Sequence, residues 1–286
     1  MAHPDTAWLE AQYNNRARVP EAAALLRRWA EVSALVRSRM TAVADLPYGP
    51  GPAERLDVFP ARVPGAPVLV FIHGGYWRSL DKADHSFVAP AFVQAGALVV
   101  VPNYSLCPAV GIADIALQMC QALAWTHRHA ADYGGDPSRI HVVGHSAGGH
   151  LAAMLLCTRW QQVAPGLPRQ LVRGAMSLSG LFDLAPLRRT PFLQADLHLA
   201  EADIARLSPA GFPRPPGPLQ ALVGGLESEE FLRQNQLIRQ RWGARAVPVC
   251  EALPGFNHFT VMHDLVDPAG RAHHQALALL GLARRP

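Results

Sequence analysis

The pattern that decides the fold lies in the stretch Ile140-His141-Val142-Val143-Gly144-His145-Ser146-Ala147-Gly148-Gly149. Residues 140–143 predict a strand and residues 147–160 predict a helix, and the pentapeptide between them fits G-x-S-x-G. Glycines on both sides permit a sharp turn that lifts the serine hydroxyl above the strand ends, beside the helix N-terminus. A glycine-rich phosphate-binding turn is the alternative, but it needs a Rossmann or P-loop pattern, which is absent. We therefore expect Ser146 to be a nucleophile.

Apolar strands alternate with helical segments along most of the chain. Apolar runs predict strands at residues 55–59, 68–72, 97–101, 140–143, 171–178, 219–223 and 247–251. Helical spacing predicts helices at residues 83–95, 112–131, 147–160, 228–242 and 272–283. Buried strands separated by helices indicate the α/β class, with a mostly parallel central sheet flanked by helices.

The segments outside this alternation predict how the chain is organised. Residues 1–45 predict an N-terminal helical extension, broken near Pro20, and residues 45–53 contain the prolines and glycines of a loop. The proline-rich segment 181–217 predicts a small cap or a long loop with short helical pieces. No linker separates the strands after residue 54, so we expect a single domain over residues 1–286.

Composition excludes several classes of protein. Half of the 286 residues are hydrophobic and 17% are charged, which excludes a disordered chain. The net charge of +4 is spread without a basic run longer than two residues, so we expect no nucleic-acid partner. No apolar stretch approaches the roughly 20 residues that span a bilayer, so we expect no membrane partner.

The cysteines and the N-terminus indicate the compartment. Cys107, Cys120, Cys157 and Cys250 lie in apolar stretches without a Cys-x-x-Cys pair, which indicates buried thiols rather than a zinc site or a disulfide framework. The N-terminus lacks the basic start and apolar run of a signal peptide. We expect a cytoplasmic protein with no metal and no cofactor, whose partner is a small-molecule substrate. The sequence leaves the oligomeric state open, a homodimer included.

A second motif, His73-Gly74-Gly75-Tyr76-Trp77, follows the apolar run that ends at Ile72. Two successive glycines let backbone N–H groups approach a substrate oxygen with no Cβ in the way. We assign an oxyanion hole to the N–H groups of Gly74, Gly75 and Ala147, and a plain turn is the alternative. His73 itself is expected to brace the loop rather than react.

The general base should be a histidine in the loop after the last strand. His258 lies in such a loop, with a glycine and a proline nearby, and His263 is the alternative. The acid that orients the base should follow the fifth long strand. Glu227 fits that place best, while Glu229 and Asp183 are the alternatives.

The remaining histidines receive less direct roles. His150, one helical turn beyond Ser146, is expected to line the substrate pocket. His273 and His274 are expected on the surface of the last helix. The pair His127-x-His129 has no carboxylate at ligand spacing, which favours a solvated helix end over a metal site.

Together, these stretches resemble the kynurenine formamidase (arylformamidase) family, a branch close to the hormone-sensitive-lipase-like esterases. The resemblance rests on the loop 73–77, the turn 144–150 and the stretch 227–234. It extends to Tyr13-Asn14-Asn15-Arg16 and to Asn103-Tyr104 with Leu106 and Pro108. It covers nearly the whole chain. It implies an α/β-hydrolase fold and the hydrolysis of N-formylkynurenine to kynurenine and formate.

The resemblance also implies a catalytic triad in the chain order Ser146, Glu227, His258. The family commonly has an aspartate where Glu227 stands, and a glutamate can serve as the third member. Tyr76, Trp77 and Phe182 are expected to hold the aromatic leaving group, with core packing as the alternative for Phe182. Some members of the family are ordinary carboxylesterases, so a general carboxylesterase is the alternative function. A non-catalytic binding protein on the same scaffold is disfavoured by the intact set of serine, histidine and paired glycines.

Overall fold

The computed structural model describes residues 5–283 and joins eight strands in one sheet. The strands are β1 (Val43–Pro47), β2 (Arg55–Phe59), β3 (Ala66–Ile72), β4 (Leu98–Pro102), β5 (Gly135–His145), β6 (Val172–Leu178), β7 (Leu219–Gly224) and β8 (Val249–Leu253). Their order across the sheet is β1-β2-β4-β3-β5-β6-β7-β8. Residues 1–4, which begin the predicted N-terminal extension, and residues 284–286 lie outside the described residues.

Helices cover both faces of the sheet. They are α1 (Thr6–Tyr13), α2 (Asn15–Arg18), α3 (Ala22–Arg39), α4 (Ala89–Gln94), α5 (Ile112–His129), α6 (Ala147–Leu156), α7 (Trp160–Val163), α8 (Ala185–Arg188), α9 (Pro191–Leu197), α10 (Glu201–Leu207), α11 (Glu229–Trp242), α12 (Val261–Val266) and α13 (Arg271–Leu280). Short 3₁₀ helices span Lys82–Val88, Ala130–Tyr133 and Pro209–Gly211. Within residues 5–283, every helix is too short or too polar to cross a membrane.

The sheet is mostly parallel, as predicted, and this arrangement brings four loops to one edge. β1 pairs with β2 and β2 with β4 in antiparallel orientation, whereas the other five pairs are parallel. The register places Ile72 beside Gly144 and Leu178 beside His145, at the carboxyl ends of β3, β5 and β6. Open α/β sheets bind ligands at this edge. The loops after β3, β5, β7 and β8 carry the residues that the sequence predicted for catalysis.

Successive residues of a strand pack on opposite faces of the sheet. In β3, Val68, Val70 and Ile72 join the core that α1, α5, α6 and α11 cover, whereas Leu69 and Phe71 join the core under α3, α4, α12 and α13. Each such buried side chain stabilises the fold by about 1.5–3 kcal/mol. All residues of β3 are buried, which explains why the strand reads as a continuous apolar run rather than an alternating one.

The N-terminal segment is more than a helical extension. Its helices do break near Pro20, but residues 43–47 form the edge strand β1, where the sequence predicted the end of the extension and the start of a loop. Most side chains of β1 are exposed and the strand ends in a proline, which an edge strand tolerates, so no apolar run indicated it. The buried Lys82 Nζ lies 2.6 Å from Asp57 Oδ1 and 2.8 Å from Asp45 Oδ1, which ties β1 and β2 to the segment after β3.

The proline-rich segment 181–217 folds into α8, α9, α10 and the 3₁₀ helix Pro209–Gly211. This agrees with the short helical pieces that the sequence indicated there. Helix α1 contacts both α8 and α9. The N-terminal helices and this segment therefore lie together, and both contribute to the cavity described below.

Candidate active site

Ser146 occupies the turn between β5 and α6. Its backbone has φ 56° and ψ −118°, a sparsely populated conformation that costs about 1–3 kcal/mol. Its N–H donates to the carbonyl oxygen of Leu178 at 2.8 Å, which helps to hold the turn. A Cβ on Gly144 would lie 2.0 Å from the oxygen of Gly148, and a Cβ on Gly148 would lie 2.0 Å from the oxygen of Ile72. The close approach of backbone segments therefore requires both glycines of the pattern.

His258 lies in the loop between β8 and α12, and its Nε2 is 3.1 Å from Ser146 Oγ. The loop is shaped by Asn257, whose Oδ1 accepts hydrogen bonds of 2.9 Å from the N–H groups of Phe259 and Thr260. The hydroxyl of Thr260 accepts in turn from the N–H of Asn257 at 2.8 Å. Asparagine commonly organises turns in this way. The predicted base is therefore within hydrogen-bonding distance of the predicted nucleophile.

The Glu227 carboxylate lies on the other side of the His258 ring. Its Oε2 is 2.6 Å from Nδ1 of His258, and its side chain is completely buried. The second oxygen, Oε1, accepts hydrogen bonds from the N–H of Gly224 at 2.7 Å and from the hydroxyl of Ser179. A Cβ on Gly224 would lie 2.4 Å from the oxygen of Phe256, so the loops of the acid and the base pack directly together.

The alternative acids and the alternative base lie elsewhere. Glu229 is exposed in the first turn of α11, and His263 is exposed on α12. Asp183 accepts a hydrogen bond of 3.1 Å from the N–H of Ala185 and lies 3.7 Å from Arg233. Of the acids and bases that the sequence offered, the structure therefore brings Glu227 and His258 to Ser146.

The loop after β3 places the paired glycines beside the turn. A Cβ on Gly74 would lie 3.0 Å from the Cβ of Ser146, and Gly75 has φ 103° with its Cβ position 2.1 Å from the oxygen of Ser79. No group within residues 5–283 accepts a hydrogen bond from the N–H of Gly74 or Gly75. Ala147 is the first residue of α6, so its N–H has no acceptor inside that helix. These three donors are the ones that the sequence predicted for an oxyanion hole.

His73 braces this loop, as the sequence indicated. Its Nε2 lies 3.0 Å from Oδ1 of Asn103, and its ring stacks on Tyr104 at 4.3 Å. The Tyr104 hydroxyl donates to the carbonyl oxygen of His73 at 2.9 Å. Burial lowers the pKa of His73, so the ring is a neutral part of the loop's support.

A cavity of about 420 Å³ opens onto Ser146 and His258. One part of its wall is aromatic, formed by Trp29, Tyr76, Phe192 and Phe259. Another part is polar or charged, formed by Asn14, Asn15, Arg16, Arg78, Ser79 and Asp196. This combination of apolar walls with a few polar groups is typical of small-molecule sites.

Of the four predicted substrate contacts, only Tyr76 lines this cavity. Trp77 and Phe182 are completely buried in the core, and the ring of Trp77 packs edge-on against His150 at 5.0 Å. His150 is also buried, with its Nε2 2.8 Å from the carbonyl oxygen of Leu207. The prediction is corrected for these three residues, because packing turns their side chains into the core instead of the cavity.

Sequence reasoning missed most of the cavity wall. Trp29 comes from α3, the residues 14–16 come from the N-terminal segment, and Phe192 and Asp196 come from α9. The only signal in the sequence was the family resemblance of Tyr13-Asn14-Asn15-Arg16, and that resemblance assigned these residues no function. These elements precede or interrupt the strand-and-helix alternation, so their position over the site depends on tertiary packing.

The other predicted histidines occupy two environments. His274 is exposed as expected, but His273 is buried, with its Nδ1 3.0 Å from the oxygen of Leu265, because α13 packs on the sheet. His127 and His129 lie half-buried at the end of α5. Within the described part of the chain, no three or more histidine, cysteine or acidic side chains are grouped to hold a metal ion.

His145 connects the nucleophile's turn to the base. It precedes Ser146 and its ring lies 4.9 Å from the ring of His258. Burial lowers the pKa of His145 well below its usual value, so the ring is neutral. Its Nε2 lies 2.8 Å from the backbone oxygen of His258, so this nitrogen carries the proton and donates it. A direct hydrogen bond thus holds the loop that carries the base.

Comparison with known proteins agrees with this fold and site. The BD-FAE family model matches residues 56–175. The chain is 31% identical to the kynurenine formamidase of Danio rerio, over 91% of each chain, and 29% identical to that of Salmo salar, over 78% of this chain and 76% of the relative. A solved structure of a proposed thioesterase from Silicibacter sp. TM1040 is 30% identical and superposes with a TM-score of 0.83, covering 96% of this chain and 98% of that one.

The mostly parallel sheet, the strained serine turn and these relatives define an α/β hydrolase. The protein is a hydrolase that acts on formamides or esters. Within that class, the chain belongs to the kynurenine formamidase family.

Proposed function

We propose that the protein hydrolyses an aryl formamide, N-formylkynurenine, to kynurenine and formate through a formyl-enzyme. The observation that carries this proposal is the chain of hydrogen bonds from Ser146 Oγ through His258 to Glu227, whose serine and histidine line a cavity with aromatic walls. The name of the Danio rerio relative supports the choice of a formamide over a general ester.

In the first half of the reaction, Ser146 Oγ attacks the formyl carbon while its proton passes to His258 Nε2. The N–H groups of Gly74, Gly75 and Ala147 bind the oxygen that becomes negative. Glu227 holds the Nδ1–H of His258 and stabilises the imidazolium. His258 then gives its proton to the amine nitrogen, the C–N bond breaks, and the aryl amine leaves.

In the second half, a water molecule gives a proton to His258 as its oxygen attacks the formyl ester on Ser146. The same N–H groups stabilise the second oxyanion. The C–Oγ bond then breaks, His258 returns the proton to Ser146, and formate is released. One water is consumed for each C–N bond that is broken. A formyl group is small, so most of the cavity is free for the amine side of the substrate.

The test compares N-formyl-L-kynurenine with p-nitrophenyl acetate on the purified protein. A larger kcat/KM for the formamide supports the proposal, whereas turnover of the ester alone would identify a general carboxylesterase. Ser146→Ala should fold normally and lose about 10⁶-fold in kcat, the size of effect seen for triad serines. A fluorophosphonate probe should label one site per chain, and labelling that persists in Ser146→Ala would contradict the assignment of the nucleophile.

A cytoplasmic location and the absence of a nucleic-acid partner remain parts of the proposal, while the oligomeric state stays open, a homodimer included. The four cysteines are free thiols, which is typical of reducing compartments. Fractionation of cells and light scattering on the purified protein would test the location and the oligomeric state.

A further inference from the structure

The N-terminal segment forms a charged wall of the active-site cavity. Asn15 and Arg16, in the short helix α2, line the same cavity as Ser146. They reach the site from outside the sheet, and no step of the mechanism described above uses them. Their chemistry therefore bears on what the cavity binds rather than on how the bond is broken.

Buried hydrogen bonds fix this segment to the body of the enzyme. The Tyr13 hydroxyl donates to Oε2 of Glu230 at 2.6 Å and accepts from Nε2 of Gln234 at 3.2 Å, both on α11. The Tyr76 hydroxyl, from the loop of the paired glycines, donates to the backbone oxygen of Tyr13 at 2.7 Å. Groups held in this way keep their geometry, which a specific binding site requires. Arg16 therefore starts from a fixed backbone position.

The charges of the cavity wall do not balance. Arg78 forms an ion pair with Asp196 and donates to the backbone oxygen of Phe192 at 2.6 Å, so its charge is matched. Arg16 has no carboxylate within salt-bridge distance in residues 5–283, and its side-chain hydrogen bond is a long one of 3.5 Å to Ser79 Oγ. One guanidinium charge at the cavity is thus available to an anion.

Asn15, the preceding residue in the chain, supplies a second unused donor in the wall of the same cavity. Its side chain is 95% buried, since 5% of its surface is exposed, and its Nδ2 has no acceptor among the described residues. A buried donor without an acceptor is unfavourable, and Asn15 lines the cavity, so an oxygen of a bound ligand would supply the missing acceptor. A guanidinium beside an amide N–H matches the two oxygens of a carboxylate.

We propose that Arg16, together with Asn15, binds a carboxylate on the amine side of the substrate. The preferred substrate is then an aromatic formamide whose leaving amine carries a carboxylate, and simple aryl formamides and neutral esters are poorer substrates. The carboxylate must be on the amine side, because the formyl carbon carries only a hydrogen besides its oxygen and the amide nitrogen. The inference rests on the proposed function and deepens it.

Two formamides that differ only in the charged group test the proposal. N-Formyl-L-kynurenine carries an α-amino-acid group with a carboxylate and an ammonium, whereas 2′-formamidoacetophenone keeps the aryl ketone and the formamide and carries neither charge. Arg16→Gln should raise KM for N-formylkynurenine by about 10- to 100-fold, the range of one charge-assisted hydrogen bond, with kcat nearly unchanged. KM for the acetophenone should stay within about twofold of the wild-type value, because no charge is involved.

Arg18→Gln is the matched control. Arg18 is, like Arg16, an exposed arginine of helix α2, but it does not line this cavity, and its Nη1 donates to the backbone oxygen of Ala11. The control should leave both KM values unchanged. Arg16→Lys keeps the charge and should recover part of the affinity for N-formylkynurenine alone.

Equal effects of Arg16→Gln on both substrates, or no effect on either, would overturn the proposal while the proposed function stood. Failure of the wild type to hydrolyse either formamide would instead overturn the proposed function. The subsite can still be tested in that case, because calorimetry with the amino acid kynurenine requires no turnover. Ser146→Ala should bind kynurenine at least about tenfold more tightly than the double variant with Arg16→Gln, and equal affinities would refute the subsite.

Discussion

Replacing Glu227 by glutamine should lower kcat by about 10⁴-fold, because the amide favours a histidine tautomer that cannot accept the serine proton. In the native site, Glu227 Oε2 lies 2.6 Å from His258 Nδ1. Its Oε1 accepts hydrogen bonds from the N–H of Gly224 and from the Ser179 hydroxyl. Glutamine has only one oxygen for these two positions.

The surroundings decide which way the amide of Glu227→Gln turns. With its oxygen in the Oε1 position, the side chain keeps both acceptor bonds and directs its NH₂ at Nδ1 of His258. The histidine proton then resides on Nε2, where it faces Ser146. The opposite orientation sets NH₂ against the N–H of Gly224, and a buried donor without an acceptor costs about 1–3 kcal/mol. The competent orientation is therefore the rarer one by about 5- to 150-fold.

Loss of the negative charge accounts for the rest of the effect. A 10⁴-fold decrease corresponds to about 5 kcal/mol at roughly 1.4 kcal/mol per factor of ten. The orientation supplies about 1–3 kcal/mol of this, and the remainder is the stabilisation that a carboxylate gives to the imidazolium in the transition state.

The assay is steady-state kcat on a formamide and on an ester, combined with ¹⁵N NMR of the His258 ring to identify its tautomer. Glu229→Gln is the matched control, because Glu229 is an exposed acid two residues further along the chain. Asp183→Asn should likewise leave most of kcat. A folded Glu227→Gln protein with kcat within about tenfold of the wild-type value, or with its proton still on Nδ1, would refute the reasoning.

Activity should survive EDTA and dialysis, because backbone N–H groups rather than a Lewis acid polarise the carbonyl; a loss that zinc restores would contradict the mechanism. The free energy of unfolding should fall as the pH drops below about 6.5, the usual pKa of histidine. Burial lowers the pKa of His85 to about 3 and that of His141 and of His150 to about 4. The unfolded chain then binds protons that the folded protein excludes, at about 1 kcal/mol per histidine over the first pH unit, and urea unfolding at pH 6.5 and 5.5 measures the loss.

The sequence predicts those parts of the fold that depend on local geometry. The turn at Ser146 could be located because Gly144 and Gly148 are needed by backbone contacts that any residue with a Cβ would break. The long strands could be located because both of their faces are buried, so their residues are continuously apolar. Glu227 and His258 followed from the rule that parallel strands bring their carboxyl ends to one edge.

The missed features depend on contacts between distant segments. Strand β1 has exposed side chains, and its place in the sheet comes from pairing with β2 and from the Lys82 ion pairs. Trp77 and Phe182 are aromatic and adjacent to catalytic loops, yet their rings point into the core, while Trp29 from a distant helix lines the cavity. Aromatic character predicts burial in either place and cannot distinguish a core contact from a ligand contact.

His145 offers a sharper test of how the base is positioned, because the chain contains a matched pair of buried histidines. The Nε2 of His145 donates to the backbone oxygen of His258 at 2.8 Å, and the Nε2 of His150 donates to the backbone oxygen of Leu207 at 2.8 Å. Burial lowers the pKa of both rings, so both are neutral donors. The two histidines differ in the segment that they stabilise. His145 binds the loop that carries the base, whereas His150 binds Leu207, which lies outside that loop.

His145→Phe and His150→Phe keep a ring and remove the donor, so each should lower the free energy of unfolding by about 1–3 kcal/mol. Only His145→Phe should also lower kcat, by about 10- to 100-fold for formamides and esters alike, because a misplacement of about 1 Å can cost 10²-fold. His145→Gln retains a donor and should recover part of kcat. Urea unfolding and kcat measured on the same preparations separate the two effects. An equal decrease of kcat in both phenylalanine variants would mean that the loss reflects stability, and that the hydrogen bond to His258 does not position the base.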